Sequence, residues 1–266
     1  MKTLATIIVW VTGALLLFHF FFGWMYTNID GYYYWAFGEY IKTGIYPFIQ
    51  PYVYARPPTI SPPLYGIFLV LLEVFPRADI ILHAVQLLLL VGSAYLLYRM
   101  ITPSVGSPRA TLVACLFILF PANIIYVSSM MPEIPAQFLF TLSSYLVFRF
   151  LRSRTIGSLS RLTLITAIGT LLKYQFIILA IGSLAWFLIA FFKKSTRSRS
   201  ALVLPAIGVL VLTSWIIANH QISGVWGLSD TKKLPFYTAF VWDGKHFPKE
   251  TDPAVQKLRE YVPPTV

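Results

Sequence analysis

The chain has 266 residues, 57% of them hydrophobic, and its mean hydropathy is +0.70. Apolar segments near the ~20 residues that cross a bilayer recur along it, which excludes an ordinary water-soluble domain. The 21 basic and 10 acidic residues give a formal charge of +11. Because the basic excess flanks apolar segments, it indicates membrane orientation and no nucleic-acid partner.

Seven segments are predicted to cross the membrane as helices, giving an all-α polytopic fold. They are residues 4–25, 80–98, 110–126, 134–148, 162–172, 176–192 and 201–218, the fifth of which is short. The first is too long for a typical signal-peptide core, so the N-terminus is expected to stay cytoplasmic. This topology places eleven basic residues and no acid inside, while ten basic and all ten acidic residues lie outside.

The loop between the first two spans, residues 26–79, is too long to lack structure of its own. Residues 31–43 are predicted to form a helix that ends at Gly44, followed by an extended Tyr- and Pro-rich stretch. Residues 64–75 are apolar but too few to cross, which favours an interfacial or re-entrant helix. The transmembrane module therefore covers residues 1–219, and residues 220–266 form an outer tail that could be an incomplete soluble region.

Residues 162–192 are predicted to form a helical hairpin with Lys173 at its outer tip. A single long helix would separate the basic clusters that precede and follow it. Each arm has only about 15 residues and is ~22 Å long, shorter than the ~30 Å hydrocarbon core. Lys173 is therefore expected to lie below the outer surface, in a recess lined by protein.

Asp30 opens an aromatic run at the outer membrane edge that includes Tyr33, Tyr34 and Trp35. Its carboxylate has two interpretations, as a cap for the helix that follows or as a proton acceptor made more basic by aromatic surroundings. The aromatic residues likewise fit an interfacial belt or a surface that stacks against a sugar or lipid.

Glu133 follows Pro132 where the fourth span begins, at the same predicted depth as Asp30. An acid there is favourable for the helix dipole, but it could also face a pocket shared with Asp30. Lys173 could extend its amine to the headgroups or bind a phosphate, with Tyr174 as a further hydrogen-bond donor. Two carboxylates and a lysine in one recess favour group transfer from a lipid-linked donor.

Five motifs carry a resemblance to a known superfamily. They are DGYYY at 30–34, GIYPF at 44–48, SPPLY at 61–65, PEIP at 132–135 and GTLLKY at 169–174. In order and sidedness they resemble the amino-terminal module of GT-C glycosyltransferases, which include protein O-mannosyltransferases and the aminoarabinose transferase acting on lipid A. Some relatives have a glutamate at the third motif, and many continue with further helices, so this chain could be compact, a fragment or dependent on a partner subunit.

The resemblance implies an inverting glycosyltransferase that uses a polyprenyl-phosphate sugar on the outer face. The absence of cysteine pairs and of Asn-X-Ser/Thr glycosylation sites favours a bacterial inner membrane. It implies Asp30 as the general base, Glu133 as a residue that positions the acceptor or binds a metal, and Lys173 near the donor phosphate. Arg56, in the first outer loop, is a weaker candidate for contacting that phosphate. No cofactor is required by the pattern, although a divalent metal between Asp30, Glu133 and the donor phosphate is conceivable.

The alternative is a non-catalytic polyprenyl-lipid-binding subunit or a lipid transporter, in which the outer loop only recognises the lipid. A transporter would be expected to show more polar residues at the membrane midplane. The sugar, the acceptor and the oligomeric state are not indicated by the residues.

Overall fold

The computed structural model describes residues 2–22, 29–44, 61–193 and 199–229, and within these ranges the chain is helical with no β-strand. A 3-10 helix (Arg199–Leu202) precedes the last helix. The α-helices are α1 (Lys2–Phe22), α2 (Ile29–Thr43), α3 (Pro63–Leu72), α4 (Ala78–Val105), α5 (Ser107–Ile118), α6 (Pro121–Val127), α7 (Glu133–Ser153), α8 (Ile156–Leu172), α9 (Phe176–Lys193) and α10 (Val203–Ser223).

By length and hydropathy, α4, α7, α9 and the segment Ser200–Ser223 can each cross a bilayer. The pair α5 and α6, which meet at 54°, makes a fifth crossing if it is one broken span. Shorter apolar helices cover Thr12–Phe21, Pro63–Leu72 and Ile156–Leu172. The predicted all-α polytopic membrane fold is thus confirmed, whereas seven crossings stay a prediction.

The predicted third span, residues 110–126, is wrong as a single continuous helix. It breaks between Ile118 and Pro121 because proline has no N–H to donate to the carbonyl four residues earlier, that of Phe117. The side chain of Asn123 donates to this Phe117 oxygen instead, at 2.6 Å. The bend therefore keeps the freed carbonyl hydrogen-bonded inside an apolar layer, as a membrane environment requires.

The segment between α1 and α4 contains two helices that cross in close contact. Helix α2 ends at Gly44, which has φ of 73°, and α3 begins directly after Pro62. The two backbones touch where Gly38 meets Gly66, since a Cβ on Gly38 would overlap the Gly66 carbonyl oxygen. Both the helix ending at Gly44 and the short apolar helix after it are confirmed.

Helices α8 and α9 form the predicted hairpin, joined by residues 173–175. Helix α8 packs against α7, α9 and α10, so it lies at the centre of the described bundle. At its C-terminal end, the ring of Phe176 lies directly against Gly169, where any side chain would overlap it. An apolar cluster from α3, α4, α7, α8 and α9 lies at this end: Tyr65, Leu69, Leu72, Leu82, Ala136, Leu172 and Phe176.

Candidate active site

Glu133 and Lys173, which are forty residues apart in sequence, form an ion pair. Nζ of Lys173 donates to Oε1 of Glu133 at 2.8 Å, and the two side chains are 30% and 19% exposed, respectively. Glu133 is the first residue of α7, where its negative charge is favourable for the helix dipole. The two residues predicted to share a pocket therefore do meet, in a partly buried setting.

The turn after α8 sets the position of Lys173. Its backbone is extended, with φ −147° and ψ 122°, and its N–H donates to the Gly169 carbonyl at 2.7 Å. Its own carbonyl accepts from the Phe176 N–H at 3.0 Å. Because Phe176 packs on Gly169, the backbone of Lys173 is fixed on both sides, and its amine can reach the start of α7.

The segment before Glu133 is held by two other helices. Gln86 of α4 donates its side-chain amide to the Ser129 carbonyl at 2.8 Å. Ser128 shares a 2.6 Å hydrogen bond with Nε2 of His19, from α1. These contacts fix residues 128 and 129, which lead directly into α7, and thereby the place from which Glu133 projects.

Tyr65 of α3 is a site residue that sequence reasoning missed. Its side chain is completely buried, and its ring packs edge-on against Tyr34 with centroids 5.4 Å apart. Burial raises the pKa of its hydroxyl, and the negative charge of Glu133 adds to this shift, so the group stays protonated at neutral pH. Tyr65 also belongs to the apolar cluster that contains Ala136, Leu172 and Phe176, which neighbour Glu133 and Lys173 along the chain, so it lies beside the ion pair.

Two buried oxygen atoms beside the ion pair have no hydrogen-bond partner within the described residues, the hydroxyl of Tyr65 and Oε2 of Glu133. Buried polar atoms in folded proteins are almost always hydrogen-bonded to protein or to water. Both atoms are thus available to a bound molecule, the tyrosine as a donor and the carboxylate as an acceptor.

Tyr174 borders the same region. Burial raises the pKa of its hydroxyl, and Tyr34 adds to the shift, while a hydrogen bond with Trp215 acts in the opposite direction. Trp215 belongs to α10, donates Nε1–H to the Leu228 carbonyl at 2.9 Å and packs edge-on against Phe37 at 6.0 Å. Tyr174 thus connects the hairpin tip to α10 and, through Tyr34, to α2.

The three aromatic residues predicted to contact sugar or lipid lie in different surroundings. Tyr33 is exposed, whereas Tyr34 packs on Tyr65 beside the ion pair. Trp35 donates its indole N–H to Oε1 of Glu73 at 2.6 Å. The structure therefore brings Tyr34 to the ion pair, and Trp35 joins α2 to the end of α3.

Asp30 and Arg56 are the predicted site residues about which the structure says least. Helix α2 begins at Ile29, so Asp30 is a residue of its first turn, one turn before Tyr34, and not a residue preceding the helix. The side chain of Asp30 and all of Arg56 lie outside the described residues. Over the described ranges, no group of three or more His, Cys, Asp or Glu side chains could hold a metal ion.

Comparison with known proteins gives one match. The model of the dolichyl-phosphate-mannose-protein mannosyltransferase family matches residues 61–217, which include α3, Glu133 and Lys173. No curated protein and no solved structure matches the chain. The match covers more than half of the 266 residues, and it confirms the resemblance drawn from the motifs. The chain therefore belongs to the dolichyl-phosphate-mannose-protein mannosyltransferase family, and it is a membrane glycosyltransferase.

Proposed function

We propose that this glycosyltransferase transfers a sugar, with inversion at the anomeric carbon, from undecaprenyl or dolichyl phosphate to an acceptor hydroxyl on the outer face. Family membership supports the use of a polyprenyl-phosphate sugar as donor. The observation that carries the assignment of the site is the 2.8 Å ion pair between Lys173 and Glu133 beside two unpartnered buried oxygens.

Lys173 binds the phosphate of the donor in this proposal. Its ammonium group is a compact point charge, and it stabilises the negative charge that grows on the phosphate as the glycosidic bond breaks. Glu133 holds the ammonium group in position before the donor arrives. Arg56 and Tyr174 supply further donors to the phosphate, and Tyr65 donates its hydroxyl proton to an oxygen of the donor or acceptor.

Asp30 accepts the proton of the acceptor hydroxyl. As the acceptor oxygen forms its bond to the anomeric carbon, the bond from that carbon to the phosphate oxygen breaks, and the electron pair leaves with the polyprenyl phosphate. The proton ends on the Asp30 carboxylate. Attack from the face opposite to the leaving phosphate gives inversion. Tyr33, Tyr34 and Trp35 border the sugar or the isoprenoid chain.

A divalent metal is compatible with the same residues but is not needed for these steps. Oε2 of Glu133 is an oxygen ligand of the kind that hard cations prefer, and Asp30 and the donor phosphate would complete the set. We place the active face on the outer side of the membrane, with the N-terminus cytoplasmic, on the charge distribution of the loops. The single cysteine and the lack of Asn-X-Ser/Thr sites favour a bacterial inner membrane. A partner subunit remains compatible with this function.

Asp30→Asn tests the proposal, with Asp79→Asn as the matched control because Asp79 is an exposed acid whose ion pair is with exposed Arg77. We expect Asp30→Asn to lower transfer from a labelled polyprenyl-phosphate sugar by roughly 100-fold or more, because it removes the general base. The control should keep full activity. Full activity in Asp30→Asn would contradict the assignment, and donor binding without turnover by the unmodified protein would favour the non-catalytic alternative.

A further inference from the structure

A cavity lies between the C-terminal halves of α4 and α7, far from the ion pair of Glu133 and Lys173. Its volume is about 420 Å³, within the ~300–1,000 Å³ typical of small-molecule sites. The polar residues that line it are Tyr98, Arg99, Thr102, Tyr145, Arg149, Arg152 and Ser153. Three guanidinium groups thus border one cavity, with two phenol rings beside them.

Within the part of the chain that the structure describes, no carboxylate neutralises these arginines. Among the described residues, Arg99 donates to the Tyr95 hydroxyl at 2.8 Å, and none of the three takes part in an ion pair. In the sequence from residue 80 to residue 193, Glu133 is the only acid. It begins α7, sixteen residues before Arg149, which is ~24 Å away at 1.5 Å per residue.

The cavity is therefore at the opposite end of α7 from the candidate active site. The ~24 Å between them approaches the ~30 Å thickness of a hydrocarbon core, so the two sites lie near opposite boundaries of the bilayer. A donor whose phosphate contacts Lys173 cannot also place that phosphate among the arginines. A phosphate bound among the arginines would therefore belong to a different molecule from that donor.

We propose that this cavity binds a phosphate group, supplied by the headgroup of an anionic phospholipid. Guanidinium groups present paired N–H donors that match the oxygens of a phosphate. Basic pockets between transmembrane helices at the membrane boundary are where lipid headgroups bind. Phe148 and Pro103 add apolar surface to the wall, against which the glycerol and the first methylene groups of a lipid can pack.

The test is native mass spectrometry of the full chain in detergent, with phosphatidylglycerol or zwitterionic phosphatidylcholine added. The variant Arg149→Gln with Arg152→Gln removes two charges from the cavity. Arg109→Gln with Arg161→Gln removes two exposed charges that do not line it and is the matched control. We expect the cavity variant to bind phosphatidylglycerol at least ~10-fold more weakly than the unmodified protein, and the control to bind it almost unchanged.

Equal weakening in both variants, or no weakening in either, would overturn the proposal, because binding would then follow overall charge or another site. Millimolar inorganic phosphate is added in a second arm: retention of the lipid supports the headgroup as source, and its displacement overturns the lipid in favour of free phosphate. If the double variant does not fold, Arg149→Gln is compared with Arg161→Gln, with a loss confined to Arg149→Gln expected. Transfer activity is not needed for any of these readings.

Discussion

Tyr65 and Glu133 each bury an oxygen atom that finds no hydrogen-bond partner within the described residues. Leaving such a group unsatisfied costs about 1–3 kcal/mol. Apolar replacements would remove this cost, so a polar group at both places suggests that a bound molecule completes the hydrogen bonds. These two oxygens are therefore better explained by a role in ligand binding than by a role in stabilising the fold.

Tyr65→Phe separates these two roles. The change keeps the ring and its packing against Tyr34 but removes the unpartnered hydroxyl, so we expect a thermal midpoint equal to or above that of the unmodified protein. Transfer activity should fall by roughly 100-fold if the hydroxyl donates to the reacting groups. Both quantities are measured on the same purified sample. A lowered midpoint with unchanged activity would show that the hydroxyl only supports the fold.

Two residues of the site were predictable because charge is rare in an apolar chain. Glu133 and Lys173 are exceptions within long apolar stretches, and helix topology alone placed them at one boundary. Tyr65 was missed because a tyrosine near the membrane edge is ordinarily an interfacial anchor, and its burial depends on α2 covering it. Gln86 was also missed, although an amide within an apolar span was itself a signal.

At the scale of elements, the crossing of α2 over α3 depends on two glycines. A Cβ on Gly38 would overlap the Gly66 carbonyl oxygen, and a Cβ on Gly66 would meet the Tyr34 carbonyl oxygen. Small residues permit this approach of two helix backbones, as in other membrane helix pairs. The crossing positions Tyr34 over Tyr65, so separating the helices would also open the candidate active site.

Gly38→Ala or Gly66→Ala should therefore destabilise the protein by about 1–3 kcal/mol and lower its activity. Gly182→Ala in α9 is the control, because a Cβ there meets no atom within 4 Å. Thermal unfolding in detergent measures the first effect and sugar transfer the second. Identical behaviour of all three variants would refute the close crossing.

The contact between α2 and the end of α3 is expected to weaken at low pH. Glu73 accepts from Lys42 at 2.8 Å and from Trp35 at 2.6 Å. Burial alone would raise the pKa of Glu73, but the hydrogen bonds from Lys42 and Trp35 outweigh it and hold the pKa below its ordinary value. The contribution of these hydrogen bonds to stability is thus complete above about pH 4.3, which is the pKa of a glutamate in an unfolded chain. It is lost as the pH falls through the lowered pKa of Glu73.

Hydrogen exchange of peptides from α2, corrected for the intrinsic pH dependence of exchange, measures this loss. In the unmodified protein, protection of Ile29–Thr43 should decrease as the pH falls below about 4.3. Glu73→Gln should show weaker protection that does not change over the same range. A parallel decrease in both proteins would assign the effect to another group.

The ends of helices were predictable where the local residues determine them. They were less predictable where contacts with other side chains stabilise a break inside an apolar segment. Gly44 ended α2 as expected, and the turn at Lys173 followed from short arms flanked by charge. Pro121 is present in the sequence, but the length of the apolar segment 110–126 favoured one span that includes it. The deciding contact comes from the Asn123 side chain, which satisfies the carbonyl that the proline leaves free.

At the scale of the whole molecule, the position of Glu133 depends on helices that are not expected to contact a substrate. Gln86 is a positioning residue, since it holds the Ser129 carbonyl from α4 at 2.8 Å. Gln86→Leu should leave the protein folded but lower transfer by about 10- to 100-fold, because small displacements of reacting groups are costly. Ser93→Ala is the control, as the Ser93 hydroxyl bonds only within its own helix, to Leu89.

Gln86→Glu distinguishes positioning from mere packing. A buried carboxyl group tends to stay protonated, and its O–H can donate to the same carbonyl. We expect this variant to be more active than Gln86→Leu, by a ratio that grows as the pH falls. Equal activity of the two variants at every pH would show that the hydrogen bond to Ser129 is unimportant.

The all-α membrane fold was predictable from hydropathy, and the sidedness of its loops stays a prediction from the distribution of charge. The polar contacts between helices were not predictable. His19 and Gln86 are far in sequence from Ser128 and Ser129, and they contact them only when α1, α4 and the segment between α6 and α7 pack together. Their pairing depends on the rotation of each helix about its axis, which hydropathy does not determine.

The break at Pro121 also involves α7, which lies outside the span in which the break occurs. Asn123 donates to the Phe117 carbonyl and, through Oδ1, accepts from the Gln137 amide at 3.0 Å. Gln137 lies one turn beyond Glu133 on α7. We therefore expect the angle between α5 and α6 to influence the orientation of the carboxylate, so that a straightened span would turn Glu133 away from Lys173.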